Sequence, residues 1–106
     1  MYKLFVFAPD DRQLIFDIIE AAAKVGAGII GKYSRCAFIS RGTATWKAEE
    51  GANPVVGKIG EFIQQPHVRI EMRCPDNKRA EVEQLIRALH PFEEFEVDFV
   101  KLEKAK

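Results

Sequence analysis

The apolar positions along the chain alternate in some stretches and recur at helical spacing in others, and together they predict four strands and two helices. Lys3 to Ala8 is a short apolar run containing Leu4, Phe5, Val6 and Phe7, and Pro9-Asp10-Asp11 ends it. Asp10 with Gln13 three residues on has the form of a capping box, which predicts a helix start. Leu14, Ile15, Ile18, Ile19, Ala22 and Val25 then fall on one helical face, and Gly26 and Gly28 stop the helix. Arg35 to Arg41 alternates weakly and reads as the second strand. Gly42 to Gly57 reads as a long irregular loop holding Asn53-Pro54 and the sole tryptophan, Trp46. Lys58 to Gln65 fits either one helical turn or a short strand. Val68, Ile70, Met72 and Cys74 alternate with Arg69, Glu71 and Arg73, the pattern of a half-buried strand. Pro75-Asp76-Asn77 opens a second helix with Val82, Leu85, Ile86 and Leu89 on its apolar face. His90-Pro91 closes that helix, because a proline ring disfavours helix in the residue before it. Phe95, Val97 and Phe99 alternate with Glu96 and Asp98 in a last strand, and the Lys-rich tail over 103–106 is expected to fray.

This order, with right-handed crossovers, predicts an α+β fold: a ferredoxin-like βαββαβ sandwich with a four-stranded antiparallel sheet and two helices on one face. One sheet face is then uncovered. The first strand is nevertheless apolar on both faces, and Cys36, Ala37, Phe38 and Ile39 repeat that in the second. Large exposed apolar patches are unusual on monomers, so a homo-oligomer burying the open face or a sheet edge is expected, with Phe16 as a second contact.

The 106 residues fit one domain over 1–106, with 47% hydrophobic and 30% charged residues, an ordinary globular balance. Lys plus Arg and Asp plus Glu number 16 each, which removes the basic excess expected of a nucleic-acid binder. The sequence has neither a signal-like start nor a long apolar run, so a cytoplasmic protein with no membrane partner is expected. In that compartment the two cysteines stay reduced.

The topology sorts the polar residues by end. Asp10, Asp11, Trp46, Glu49, Glu50, Asn53, His67 and the run His90-Pro91-Phe92-Glu93-Glu94 share one end, and Cys36 and Cys74 the other. His90, Glu93 and Glu94 carry donors for a divalent metal or a general base. They also fit a plain helix end: a histidine at the C-terminal dipole, a proline stop and solvated acids. Cys36 and Cys74 are soft-metal or redox candidates, or small buried hydrophobes, and they lack Cys-x-x-Cys spacing. Trp46 either stacks on a ligand or plugs a neighbouring subunit. Neither the phosphate-loop nor the dinucleotide glycine pattern is present, and no nucleophile has a visible base partner, so no catalytic residue and no required cofactor are assigned.

Gly26-Ala27-Gly28, Gly31, Tyr33-Ser34-Arg35-Cys36, Phe38, Gly42-Thr43, Gly51-Ala52-Asn53-Pro54, Gly57 and His90-Pro91-Phe92-Glu93-Glu94, in that order, resemble the domain inserted in YqfO-type proteins of the NGG-one-interacting-factor-three (Nif-three-like) family. The likeness runs from Tyr2 to about Leu102 and implies a stand-alone version of that domain. The inserted domain is similar in fold to the trimeric CutA and PII proteins, so the resemblance implies a CutA/PII-like fold and a trimer. The family's two-metal site lies in flanking domains and is not carried over. Arg35 departs from the histidine often found between the tyrosine and cysteine of the motif; if that histidine helps bind metal in the family, this sequence has lost it. The resulting expectation is a non-enzymatic, oligomeric binding or regulatory module. Its ligand candidates are Tyr33, Trp46, Asn53, His90, Glu93 and Glu94, with Tyr33 included through the motif alone. The alternatives are a CutA-like divalent metal-binding protein, using His90, Glu93 and Glu94 or Cys36 and Cys74, and more remotely a metal-dependent hydrolase.

Overall fold

The computed structural model describes residues 1–103; residues 104–106 of the tail lie outside the described residues. The elements are β1 (Tyr2–Pro9), α1 (Arg12–Lys24), β2 (Phe38–Lys47), β3 (Phe62–Cys74), a short tight turn of helix (Asp76–Lys78), α2 (Arg79–Leu89) and β4 (Val97–Lys101). The sheet order is β2-β3-β1-β4, with every neighbouring pair antiparallel. This is the expected ferredoxin-like sandwich. None of the helices is long and apolar enough to cross a membrane among the described residues.

Alternation decides which face each side chain takes. Leu4, Val6 and Ala8 of β1 and Val68, Ile70, Met72 and Cys74 of β3 are buried under the helices. They meet Ile15, Ile18 and Ala22 of α1 and Val82 and Ile86 of α2. Each large side chain of this layer contributes about 1.5–3 kcal/mol on leaving water, so the layer dominates the stability. The open face is mixed instead of apolar. Phe5 and Phe7 lie beside Glu71 and Arg69 across the β1–β3 ladder, and Phe38, 67% exposed, faces Glu71. Phe16 projects from α1 with 57% of its surface exposed.

Several boundaries differ from the sequence expectation, each for a local reason. The α1 cap is Asp11, not Asp10: its carboxylate accepts the Leu14 N–H at 2.9 Å. Asp10 instead donates its backbone N–H to the Pro66 carbonyl at 3.1 Å, and its side chain lies 3.3 Å from Arg41. The second strand starts at Phe38 because Arg35 has a positive φ of 57° and the Cys36 N–H is tied to the Gly28 carbonyl at 2.8 Å. At Gly28 only glycine fits. Its φ is +74°, and an added Cβ would lie 2.6 Å from Met72 Cε and 3.1 Å from the Cys36 carbonyl oxygen.

The segment read as loop from Gly42 is strand as far as Lys47. Thr43, Thr45 and Trp46 suit a pleated surface, and they pair with Phe62 to Pro66, which resolves that stretch as strand and not helix. The last partner of β1 on β3 is His67, so the pairs from Thr43↔Pro66 to Lys47↔Phe62 run past it as a free two-stranded ribbon. That ribbon stretches the molecule to 48 Å against 25 and 23 Å in the other directions. The long loop after β2 is thereby reduced to the connection over 48–61. The last strand begins at Val97, two residues later than the alternation implied, because Phe95 is engaged with His90.

Candidate functional site

Where the ribbon leaves the body of the sheet, the register brings aromatic rings together. Gly42 lies opposite His67, and Trp46 opposite Ile63 four positions along the same strands, so Trp46 and His67 share the open face. Gly42 has no side chain, which leaves room beside His67. The Trp46 and His67 ring centroids are 5.6 Å apart, and the Phe92 ring lies 5.4 Å from Trp46 and 5.8 Å from His67. Phe92 in turn meets His90 edge-on at 5.5 Å, and His90 stacks flat on Phe95 at 3.6 Å. These rings floor an open groove of about 1400 Å³ between β2, the connection over 48–56 and the turn after α2, with Glu49, Glu50, Glu93 and Glu94 along its walls.

The turn after α2 is set by His90. Its residue ends the helix in extended conformation ahead of Pro91. Its ring is buried and both nitrogens are engaged: Nε2 lies 2.9 Å from the Phe7 carbonyl oxygen, and Nδ1 is 3.1 Å from the Phe92 backbone nitrogen. A carbonyl can only accept and an N–H can only donate, so Nε2 bears the proton and Nδ1 the lone pair. The imidazole is therefore the neutral Nε2–H tautomer. Burial holds its pKa below the usual histidine value; the Phe7 hydrogen bond pulls the other way, and His67 adds a smaller push downward. His67, whose Nε2 is 2.9 Å from Gln65 Oε1, is likewise lowered by burial. Glu93 then joins the turn to the facing connection, accepting the Asn53 backbone N–H at 2.9 Å.

Five of the six expected ligand-site residues, Trp46, Asn53, His90, Glu93 and Glu94, thus meet at one end. Tyr33 does not: it sits in the turn after α1, bridged to Ile30 near the opposite end and 76% exposed. His67 and Phe92, which the topology had placed at this end, and Phe95, read as part of the last strand, were not chosen as ligand candidates from sequence. Extending the β3 alternation back from Arg69 puts His67 on the open face, which was the available signal.

In this arrangement His90 is not free to ligate a metal. With Nε2 protonated and Nδ1 accepting, His90 has no free lone pair, and Glu93 is turned to Asn53. Cys74 is buried beneath the sheet, its thiol 3.5 Å from the Pro75 carbonyl oxygen; burial first, and Asp76 second, push its pKa up and so away from the thiolate that binds metal. Cys36 is half-buried, its sulfur 3.8 Å from the Ser34 carbonyl oxygen. No cluster of three or more His, Cys, Asp or Glu side chains suited to a metal occurs among the described residues. Arg35, the residue that departs from the motif's histidine, forms a two-point ion pair with Glu20 of α1 at 2.8 and 3.2 Å.

The sheet order and the two helices on one face are shared, as a fold, with solved CutA structures. The periplasmic divalent cation tolerance protein CutA from Archaeoglobus fulgidus superposes with a TM-score of 0.71 over 99% of this chain and 86% of its own, at 14% identity. The sequence is more specific than the fold. Proteins called GTP cyclohydrolase 1 type 2 homolog are 39% identical over 104 residues in Halalkalibacterium halodurans and 35% over 103 residues in Bacillus subtilis. A Bacillus cereus protein related to NIF3 superposes with a TM-score of 0.80 at 32% identity, covering 97% of this chain and 26% of its own. Over 96% of its length the chain matches one domain of these NIF3-like relatives, and it spans 27% of the length of each of the two named cyclohydrolase homologues. No family model matches it.

Proposed function

We propose that this domain is a non-enzymatic, homo-oligomeric binding module whose ligand groove is the ring-floored end, completed by a neighbouring copy. The observation that carries the reading is the free ribbon. An isolated two-stranded ribbon is marginally stable in water, yet this one runs five pairs, Thr43↔Pro66 to Lys47↔Phe62, beyond the edge of β1. It also exposes Phe62, and the connection at its tip exposes Val55 and Ile59. A second copy packed along the ribbon removes that surface from water and walls the groove on its open side. The likeness to trimeric CutA-like folds favours three copies. The engaged nitrogens of His90 and the Glu93–Asn53 bond favour binding over turnover, since the histidine of that turn is not free to act as a general base. The cyclohydrolase name belongs to relatives nearly four times longer, and their activity is not assigned to this domain.

Native mass spectrometry of untagged protein, purified without chelator, tests the reading. The expected result is a trimer without stoichiometric metal, reduced to monomer by Phe62→Glu. A monomeric wild type overturns the oligomer, and one tightly held metal per chain overturns the reading of the groove as metal-free.

A further inference from the structure

The groove end contains a chain of contacts whose members depend on one protonation state. His90 accepts the Phe92 N–H through Nδ1, Phe92 lays its ring against Trp46 and His67, and Glu93, the next residue, holds Asn53. We propose that His90 is a proton-operated latch: neutral, it holds the turn 90–96 closed against the groove; protonated, it releases that turn and, through Glu93, the connection that carries Asn53. The inference stands on one copy of the chain and does not depend on the number of subunits.

The reason is geometric. A proton arriving at Nδ1 sets two donors, the imidazolium N–H and the Phe92 N–H, against each other at 3.1 Å. One of them must turn away. The imidazole cannot rotate freely, because Nε2 is held by the Phe7 carbonyl and the ring face by Phe95 at 3.6 Å. The Phe92 peptide therefore moves, carrying the Phe92 ring and the Glu93 carboxylate with it. Few charges surround the ring. His67 on β3 faces it, and β1 presents only the Phe7 carbonyl. Arg87 of α2 lies 5.5 Å from the centroid of the Phe95 ring. Glu93, Glu94 and Glu96 line the groove in the turn itself. Arg87 and, once it is protonated, His67 resist protonation of His90, while the glutamates favour it and gain by swinging toward an imidazolium once Phe92 is free.

The single tryptophan, Trp46, makes this measurable without a label. Trp46 fluorescence and amide NMR are followed from pH 8 to pH 4.5 on the intact protein. Imidazole nitrogen shifts at pH 8 are expected to give the Nε2–H tautomer for His90. On acidification Trp46 fluorescence and the Phe92 and Asn53 amides are expected to change together at the His90 midpoint, and the intrinsic-rate-corrected exchange protection of the Phe92 amide to fall roughly tenfold as it loses its acceptor. His67→Gln should keep the coupled change, which separates it from direct quenching by His67. His90→Gln should abolish it, and Glu93→Ala should keep it at Phe92 while uncoupling Asn53. If His90→Gln fails to fold, the wild-type nitrogen and amide titrations decide alone. A Nδ1–H tautomer at pH 8 overturns the latch. So do Phe92 and Asn53 amides that ignore the His90 titration, or that follow His67 instead.

Discussion

The two ends of the sheet are built on different physics. At the groove end, neutral rings and a buried imidazole, bonded to one backbone carbonyl and one backbone N–H, hold Trp46, His67, His90, Phe92 and Phe95 together. At the other end, glycine turns and exposed ion pairs organise the chain: Gly28 bonds to the Arg73 carbonyl, Arg35 to Glu20, and Lys101 and the N-terminus to Asp76. Burial makes the first end depend on the protonation of its two histidines, which it moves below the usual histidine value. Exposure makes the ion pairs of the second worth little each, so its order rests on backbone geometry. The contrast predicts which substitutions will be felt.

The largest effect is expected where geometry allows no substitute. Gly28→Ala places a Cβ against Met72 and the Cys36 carbonyl at a positive φ, and should cost about 2–4 kcal/mol in urea unfolding. An unfolding midpoint equal to the wild type would mean that the turn end is not held by its backbone. Next comes His90→Ala, which removes two hydrogen bonds and a stack and should cost about 2 kcal/mol, whereas Arg35→Gly should leave the midpoint unchanged, the lost ion pair being offset by relief of the positive φ. Reversed rankings would sink the comparison.

The pH dependence sharpens it further. Folding lowers the pKa of both His67 and His90 below 6.5, so the unfolded chain binds more protons between the folded values and 6.5. The stability they contribute is complete above about pH 6.5 and is lost as pH falls through the folded values. A melting temperature lower at pH 5 than at pH 7.5 is expected, with His67→Gln and His90→Gln each flattening part of the slope. Asp76 at the other end is lowered by its hydrogen bonds to Lys101 and the N-terminus, so its share is lost only in stronger acid, below about pH 3.8. The smallest effect is chemical. A thiol reagent should titrate half-exposed Cys36 quickly and buried Cys74 only on unfolding; two equally fast thiols would contradict the packing of β3.

Much of this was legible in the sequence, for identifiable reasons. The alternation Val68, Ile70, Met72, Cys74 placed β3 in the core because a half-buried strand writes its burial at every second residue. The spacing of Ile15, Ile18 and Ala22 did the same for α1. Glycines and Asn-Pro after Phe38 masked the strand character of Thr43 to Lys47, since no core contact marks a ribbon that leaves the body of the sheet. The grouping of Trp46, Asn53, His90 and Glu93 followed from topology alone. The tautomer of His90 did not, because it depends on a carbonyl 83 residues away in sequence. Tyr33 was drawn in by motif membership, and nothing in its own neighbourhood, Gly31-Lys32 before it and Ser34-Arg35 after it, indicated which end it would take.

The sheet order also sets a timetable. β1 is the first strand of the chain, yet its hydrogen-bonding neighbours are β3 and β4, so Tyr2 pairs with Cys74 on one side and Lys101 on the other. A growing polypeptide can assemble the β2–β3 ribbon from residues near in sequence, but the opening strand must wait for distant segments to arrive. Pairings of such long separation close slowly, since loop entropy is spent before they are rewarded. Folding of this domain is therefore expected to end, not begin, at its first strand, and the C-terminal strand that completes the sheet sets the pace of the last step.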